Sequence, residues 1–198
     1  MLSLGFLASN NGSAMRAIVG AIERGELRAH PALVVSNRRD SPALGYAREK
    51  GITNAWIPTK DDPQSADRRL LETLRQAGVD LVILSGYLRK LGPATLAGFE
   101  GRMLNVHPAL LPKFGGQGMY GNRVHEAVLA NGEKQTGATI HLVDGEYDQG
   151  HIIAQSTIAI APGESVQDVQ ANVMRAENLL FVETVRRIAE GELRLPLE

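Results

Sequence analysis

Leu2-Ser3-Leu4-Gly5-Phe6-Leu7-Ala8, closed by Ser9-Asn10-Asn11-Gly12-Ser13, sets the pattern of the chain. The apolar run is short and has no helical period, the polar cluster stops it, and Met15, Ile18, Val19 and Ile22 then recur at helical spacing. The order is strand, loop, helix, and it returns downstream. Ala32 to Ser36 reads as a buried strand, Pro42 to Lys50 as a helix opened by proline and closed by Gly51, and Asn54 to Ile57 as another short strand. Asp62-Pro63 opens a longer amphipathic helix that turns Leu70, Leu71 and Leu74 inward and stops at Gly78; Asp80 to Leu84 follows as the most apolar strand. Strands alternating with helices predict an α/β fold, a mainly parallel twisted sheet with helices on both faces and ligands at the carboxyl ends of the strands.

Beyond Pro93 to Gly98, a short helix, the pattern changes. Met103 to His107 reads as a strand cut off by Pro108, followed by a loop rich in proline and glycine to Gly121. A loop of that length inside a compact domain is usually functional. A helix over Asn122 to Ala130 leads to a β-branched strand, Thr136 to Val143, a polar loop, Asp144 to Gly150, and a strand from Ile152 to Ile160 that pairs with it as a C-terminal hairpin. The last and longest helix starts at Ser165 as N-cap, carries Val169, Val173, Leu180, Val185 and Ile188, and ends at Gly191. No repeat or linker divides the chain, so residues 1–198 are expected to form a single domain.

Composition narrows the function. Lys and Arg total 21 against 22 Asp and Glu, so no whole-molecule field draws the chain to a nucleic acid or a membrane surface, and a small anionic ligand needs a local pocket. The absence of cysteine removes disulfides, thiolate nucleophiles and cysteine-ligated metals. With no basic leader before Leu2 and no stretch near the roughly 20 apolar residues that cross a bilayer, the expectation is a cytoplasmic protein.

Three constellations could carry chemistry. In Leu104-Asn105-Val106-His107-Pro108 the amide and the imidazole stand two apart on a strand and share a face at its carboxyl end; they read either as a hydrogen-bonded structural pair or as part of a site. The Asp144 to Gly150 loop offers Asp144, Glu146 and Asp148 between Gly145 and Gly150, and reads as an acid for the site, a solvated turn or a weak cation loop. It lacks the full calcium-loop spacing, and His125-Glu126 lacks the second histidine of a zinc-protease helix, so no metal is expected. Ser9 to Ser13 is either an ordinary helix cap or an anion cradle of free N–H groups at a helix start; it fits neither the dinucleotide glycine fingerprint nor the Walker pattern.

Taken together, Asn11-Gly12-Ser13, the run Leu104-Asn105-Val106-His107-Pro108-Ala109-Leu110-Leu111-Pro112-Lys113, and Thr139-Ile140-His141 followed by Tyr147-Asp148-Gln149-Gly150 resemble the phosphoribosylglycinamide formyltransferases of purine biosynthesis, within the folate-dependent formyltransferase superfamily. The likeness spans nearly the whole chain. It implies a Rossmann-like sheet and an enzyme that moves a formyl group from 10-formyltetrahydrofolate to the primary amine of 5-phosphoribosylglycinamide. Its catalytic residues would be Asn105, His107 and Asp148, with Thr139 and His141 in support. The resemblance puts the substrate phosphate on Asn11, Gly12 and Ser13, has Glu177 hold the glycinamide ribonucleotide, and lines the folate pocket with Leu84, Arg89, Leu91 and the backbone at Val143, Asp144 and Gly145. Asn105 and His107 are then expected to face the developing oxyanion, and Asp148 to keep His107 protonated and relay the proton.

Two departures from the family pattern touch the acceptor side. The family's asparagine after Gly-Ser is Ala14 here, with Arg16 nearby, and the loop from Phe114 to Asn122 is longer than in many members. The rival readings are a formyltransferase for a sugar nucleotide, a 10-formyltetrahydrofolate hydrolase, the catalytic part of a methionyl-tRNA formyltransferase, and a non-catalytic folate- or nucleotide-binding module. The last two are disfavoured by the missing basic patch and by the presence of all three catalytic residue types.

Overall fold

A computed structural model describes residues 1–197. The elements are β1 (Leu2–Leu7), α1 (Ser13–Glu23), β2 (Ala29–Ser36), α2 (Pro42–Glu49), β3 (Asn54–Trp56), α3 (Pro63–Gln76), β4 (Leu81–Leu84), α4 (Pro93–Gly98), β5 (Met103–His107), α5 (Asn122–Ala130), β6 (Gln135–Leu142), β7 (Ile152–Ala159) and α6 (Val166–Ala189). The strands form one sheet in the order β3-β2-β1-β4-β5-β6-β7. The pairs from β3 to β5 are parallel, and β6 joins β5 and β7 antiparallel, as the expected C-terminal hairpin.

Side-chain alternation along the strands sorts the core into two layers. Leu4 and Phe6 of β1, Leu81 and Ile83 of β4 and Leu104 of β5 pack with α1, α2 and α6 on one face; Leu7, Val82, Leu84 and Met103 pack with α3 and the Leu91–Phe99 region on the other. Of the residues expected inward on α3, Leu70 and Leu74 are buried, while Leu71 is half-buried and lies against Gly98 of α4. Among the described residues no helix is long and apolar enough to cross a membrane.

β2 starts at Ala29, earlier than the Ala32 expected from sequence. Pro31 cannot donate a ladder hydrogen bond, but β3 pairs only with Val34 to Ser36, so the proline lies where β2 has no neighbour on that side. The register with β1 also shifts here, between Leu4 and Gly5.

In the hairpin, Gly137 admits no side chain, because a Cβ there would stand 1.9 Å from the Ser156 carbonyl oxygen of β7, a backbone atom that cannot swing away. Gly137→Ala is expected to destabilise the protein by about 3 kcal/mol or more and lower Tm by roughly 6–12 °C, read by calorimetry.

Candidate active site

The pairing of β5 with β6 sets Asn105 opposite His141 and His107 opposite Thr139, so two strand pairs present four polar side chains on one face. Proline ends β5 after His107, which leaves this face at the carboxyl edge of the parallel strands, beside Leu84 at the end of β4. Asp148 reaches the same spot from the β6–β7 loop, with its backbone in the left-handed region at φ 56°.

The contacts are close. Asp148 Oδ2 lies 3.3 Å from His107 Nδ1, and Oδ1 lies 3.4 Å from His141 Nε2. The Asn105 amide nitrogen is 3.2 Å from His141 Nε2. The backbone N–H of Gly116 donates to Asp148 Oδ2 at 3.0 Å, and His107 Nε2 lies 2.7 Å from the Phe114 carbonyl oxygen. Both histidines are buried, although the ends of their rings meet polar partners.

Burial lowers the pKa of His107, and the Asp148 charge and the Phe114 carbonyl offset only part of this, so the imidazole is neutral near pH 7. Burial pushes the Asp148 carboxyl up, yet the neighbouring His141 and His107 rings and the Gly116 amide together outweigh it and hold the acid below its usual range. Both directions favour a neutral imidazole beside an ionised carboxylate.

Thr139 anchors the loop after β5. Its Oγ1 accepts from the Leu111 N–H at 3.0 Å and donates to the Ala109 carbonyl at 2.7 Å, while Gln155 of β7 bonds the Leu111 carbonyl and Thr139 Oγ1. Gln155 is not among the expected site residues, and Phe114 and Gly116 are expected only as parts of a long loop. Gln155 faces Thr139 in register, a relation that becomes visible once the hairpin pairing is fixed, whereas Phe114 and Gly116 act through backbone atoms that leave no mark on residue identity.

At the other loops the geometry is as follows. Gly12 is the N-cap of α1 with φ 67° and no side-chain cap, and Asn11 and Ser13 flank it. Ala14 packs into the core, so no side chain from that position faces the loop. Arg16 donates to the Asn11 carbonyl at 2.9 Å and stacks on Tyr46 at 4.4 Å, an arrangement that braces the loop backbone. Leu84, Leu91 and Val143 meet in one apolar cluster, while Arg89, Asp144 and Gly145 are exposed. Lys90 lies 5.7 Å from the Tyr147 ring and 3.9 Å from Glu146, which draws the loop after β4 toward the β6–β7 loop. Arg89 and Leu91 also line a cleft of about 120 Å³ with Tyr87 and Thr59. An open groove of about 550 Å³ between β7 and α6 near Leu179 holds none of the expected site residues.

Glu177 on α6 is half-buried by surface area and is pushed up to about 7 by burial alone. The folded chain then holds a proton there that the unfolded chain, at 4.5, releases, so stability falls as pH rises from about 4.5 to 7. Glu177→Gln is expected to stabilise the protein by about 2–3 kcal/mol at pH 8 and by less than about 1 kcal/mol at pH 5, measured by urea denaturation at the two pH values.

Residues 3–185 match the family model described as formyl transferase. The chain belongs to the formyl transferase family. Within it, this formyl transferase chain is 38% identical over 194 residues to the chloroplastic phosphoribosylglycinamide formyltransferase of Arabidopsis thaliana, covering 96% of this chain and 66% of that one. It is 34% identical over 191 residues to the phosphoribosylglycinamide formyltransferase of Escherichia coli K12, covering 96% and 88%. The solved phosphoribosylglycinamide formyltransferase of Coxiella burnetii has a TM-score of 0.89 at 34% identity, covering 97% of this chain and 89% of that one. The formyl transferase chain thus spans about two thirds of the length of its plant relative.

Proposed function

We propose that residues 1–198 act as one domain that transfers the formyl group of 10-formyltetrahydrofolate to the primary amine of 5-phosphoribosylglycinamide, a step of purine biosynthesis. The observation that carries this reading is the meeting of Asn105, His107 and Asp148 at the end of β5 in a chain whose relatives bear the name of that activity. The two small molecules are the only partners it requires, and the cysteine-free chain suits the cytoplasm.

An α-amino group has a reference pKa near 8, so a useful fraction is neutral without a strong base. Its nitrogen attacks the formyl carbon, the new C–N bond forms, and the carbonyl electron pair moves to oxygen. One hydrogen of the Asn105 amide points toward His141; the second is the donor assigned to the oxyanion, where it acts more strongly than on the planar carbonyl. The excess proton on the amine passes to the His107–Asp148 pair and from there to N10 of the folate. The C–N10 bond then breaks, releasing tetrahydrofolate and the formamide.

The backbone N–H groups of Asn11, Gly12 and Ser13 at the start of α1 suit the substrate phosphate, and Glu177, half-buried and raised in pKa by burial, suits an amine or hydroxyl of the same ligand. Leu84, Leu91 and Val143 supply an apolar wall for the pterin, with Arg89 and the Asp144–Gly145 backbone at its rim. The packing of Ala14 into the core is the one observation that favours a different acceptor, such as a sugar-nucleotide amine. A comparison of kcat/KM for glycinamide ribonucleotide and an amino-sugar nucleotide decides between them: preference for the former by more than about a hundredfold is expected, and preference for the latter would reassign the acceptor.

A further inference from the structure

The β5–α5 loop touches the site through its main chain. Phe114 holds a backbone φ of 58°, a left-handed shape that is uncommon for an aromatic residue, and in it the Phe114 carbonyl points at His107 Nε2 from 2.7 Å. A carbonyl oxygen can only accept, so Nε2 must carry the hydrogen of the neutral ring. Nδ1 is then bare, and its lone pair faces Asp148 Oδ2 across 3.3 Å. Two acceptors opposed at that distance leave a gap shaped for one proton. The next two residues fix the other wall of the gap: Gly116 N–H donates to the same Oδ2, and Gly115 lies so close to Leu111 and Asp148 that a Cβ there would stand 2.5 Å from Leu111 Cδ2 and 3.3 Å from Asp148 Cβ.

We infer that the Phe114 carbonyl is a positioning group that locks His107 in its Nε2–H form and so makes Nδ1, the nitrogen beside Asp148, the atom that takes up and returns the proton. The claim deepens the proposed transfer reaction and rests on it for its catalytic meaning. It corrects the expectation that His107 aims an N–H at the oxyanion, because each ring nitrogen already faces a protein acceptor, and it leaves that task to Asn105. The titratable groups around His107 are Asp148 from the β6–β7 loop, His141 from β6 and His125 from α5; the last is buried with Nδ1 unpartnered.

Long-range ¹H–¹⁵N spectra of the imidazoles of the whole chain, recorded without ligands at pH 8 with His107 assigned by its loss in His107→Gln, test the tautomer independently of any activity. The expected spectrum has the hydrogen on Nε2; a hydrogen on Nδ1 would overturn the inference while leaving the formyl-transfer reading intact. Gly115→Val, which pushes the segment off the ring, is expected to mix the two tautomers and lower kcat by about tenfold to a hundredfold with KM changed less than about twofold. Phe114→Asn, a residue at ease in the left-handed region, is expected to keep the Nε2–H form. If Gly115→Val lowers kcat yet keeps that form, or Phe114→Asn loses it, the carbonyl does not set the tautomer; should Gly115→Val fail to fold, the wild-type and Phe114→Asn spectra decide alone.

Discussion

Asp148→Asn is expected to reduce kcat by about a thousandfold while the protein still folds. The amide keeps the shape of the carboxylate and one oxygen, so the Gly116 N–H retains an acceptor. It removes the charge that faces His107 Nδ1 at 3.3 Å and His141 Nε2 at 3.4 Å. With a neutral amide there, an incoming proton on His107 has no counter-charge in a buried site, and the Phe114 carbonyl is left to offset desolvation without it. KM for both substrates should move little, because the group acts after binding. The same variant carries a pH signature. The Asp148 carboxyl is held below its usual value in the folded chain, so it contributes stability above pH 3.8 that is lost as pH falls through its lower folded value. The variant should lack that part of the acid limb in urea titrations, and near-normal turnover would remove Asp148 from the reaction.

Asn105→Ala is expected to cost about 10²–10³ in kcat, equivalent to about 3–4 kcal/mol of transition-state stabilisation. The loss is large because the charge to be stabilised develops on one oxygen in a half-buried site, where a fixed donor needs no reorganisation. Folding should suffer far less, since Asn105 is half-buried and, among the described residues, its side-chain hydrogen bond is with His141 Nε2 at 3.2 Å. Stopped-flow turnover at saturating substrate together with a thermal melt separates the two effects. An equal loss in stability and rate would assign Asn105 a structural part, the reading that the isolated Asn-x-His pattern left open.

How far the sequence carried the site depends on which atoms do the work. Asn105 with His107, and Thr139 with His141, could be put on one face from their two-residue spacing, and the antiparallel register of β5 with β6 brings the two pairs together. Asp148 could be named from the family pattern, but its approach depends on a left-handed backbone at a non-glycine residue, which no spacing rule supplies. Phe114 and Gly116 contribute a carbonyl and an amide, groups every residue has, so their part in the site emerges only with the folded loop. The element order and the hairpin followed from periodicity; the early start of β2 did not, because Pro31 reads as a strand breaker until the missing neighbour on that side is known.

The most direct measurement follows the one carbon itself. Purified protein given 10-formyltetrahydrofolate labelled with ¹³C in the formyl group, and one equivalent of glycinamide ribonucleotide, is monitored by carbon NMR. The label should appear as a formamide on the ribonucleotide amine, one for each tetrahydrofolate formed, and this should slow at least a hundredfold in both Asn105→Ala and Asp148→Asn. Label released as free formate, or equal rates in wild type and both variants, would contradict the assignment of formyl transfer to this cluster.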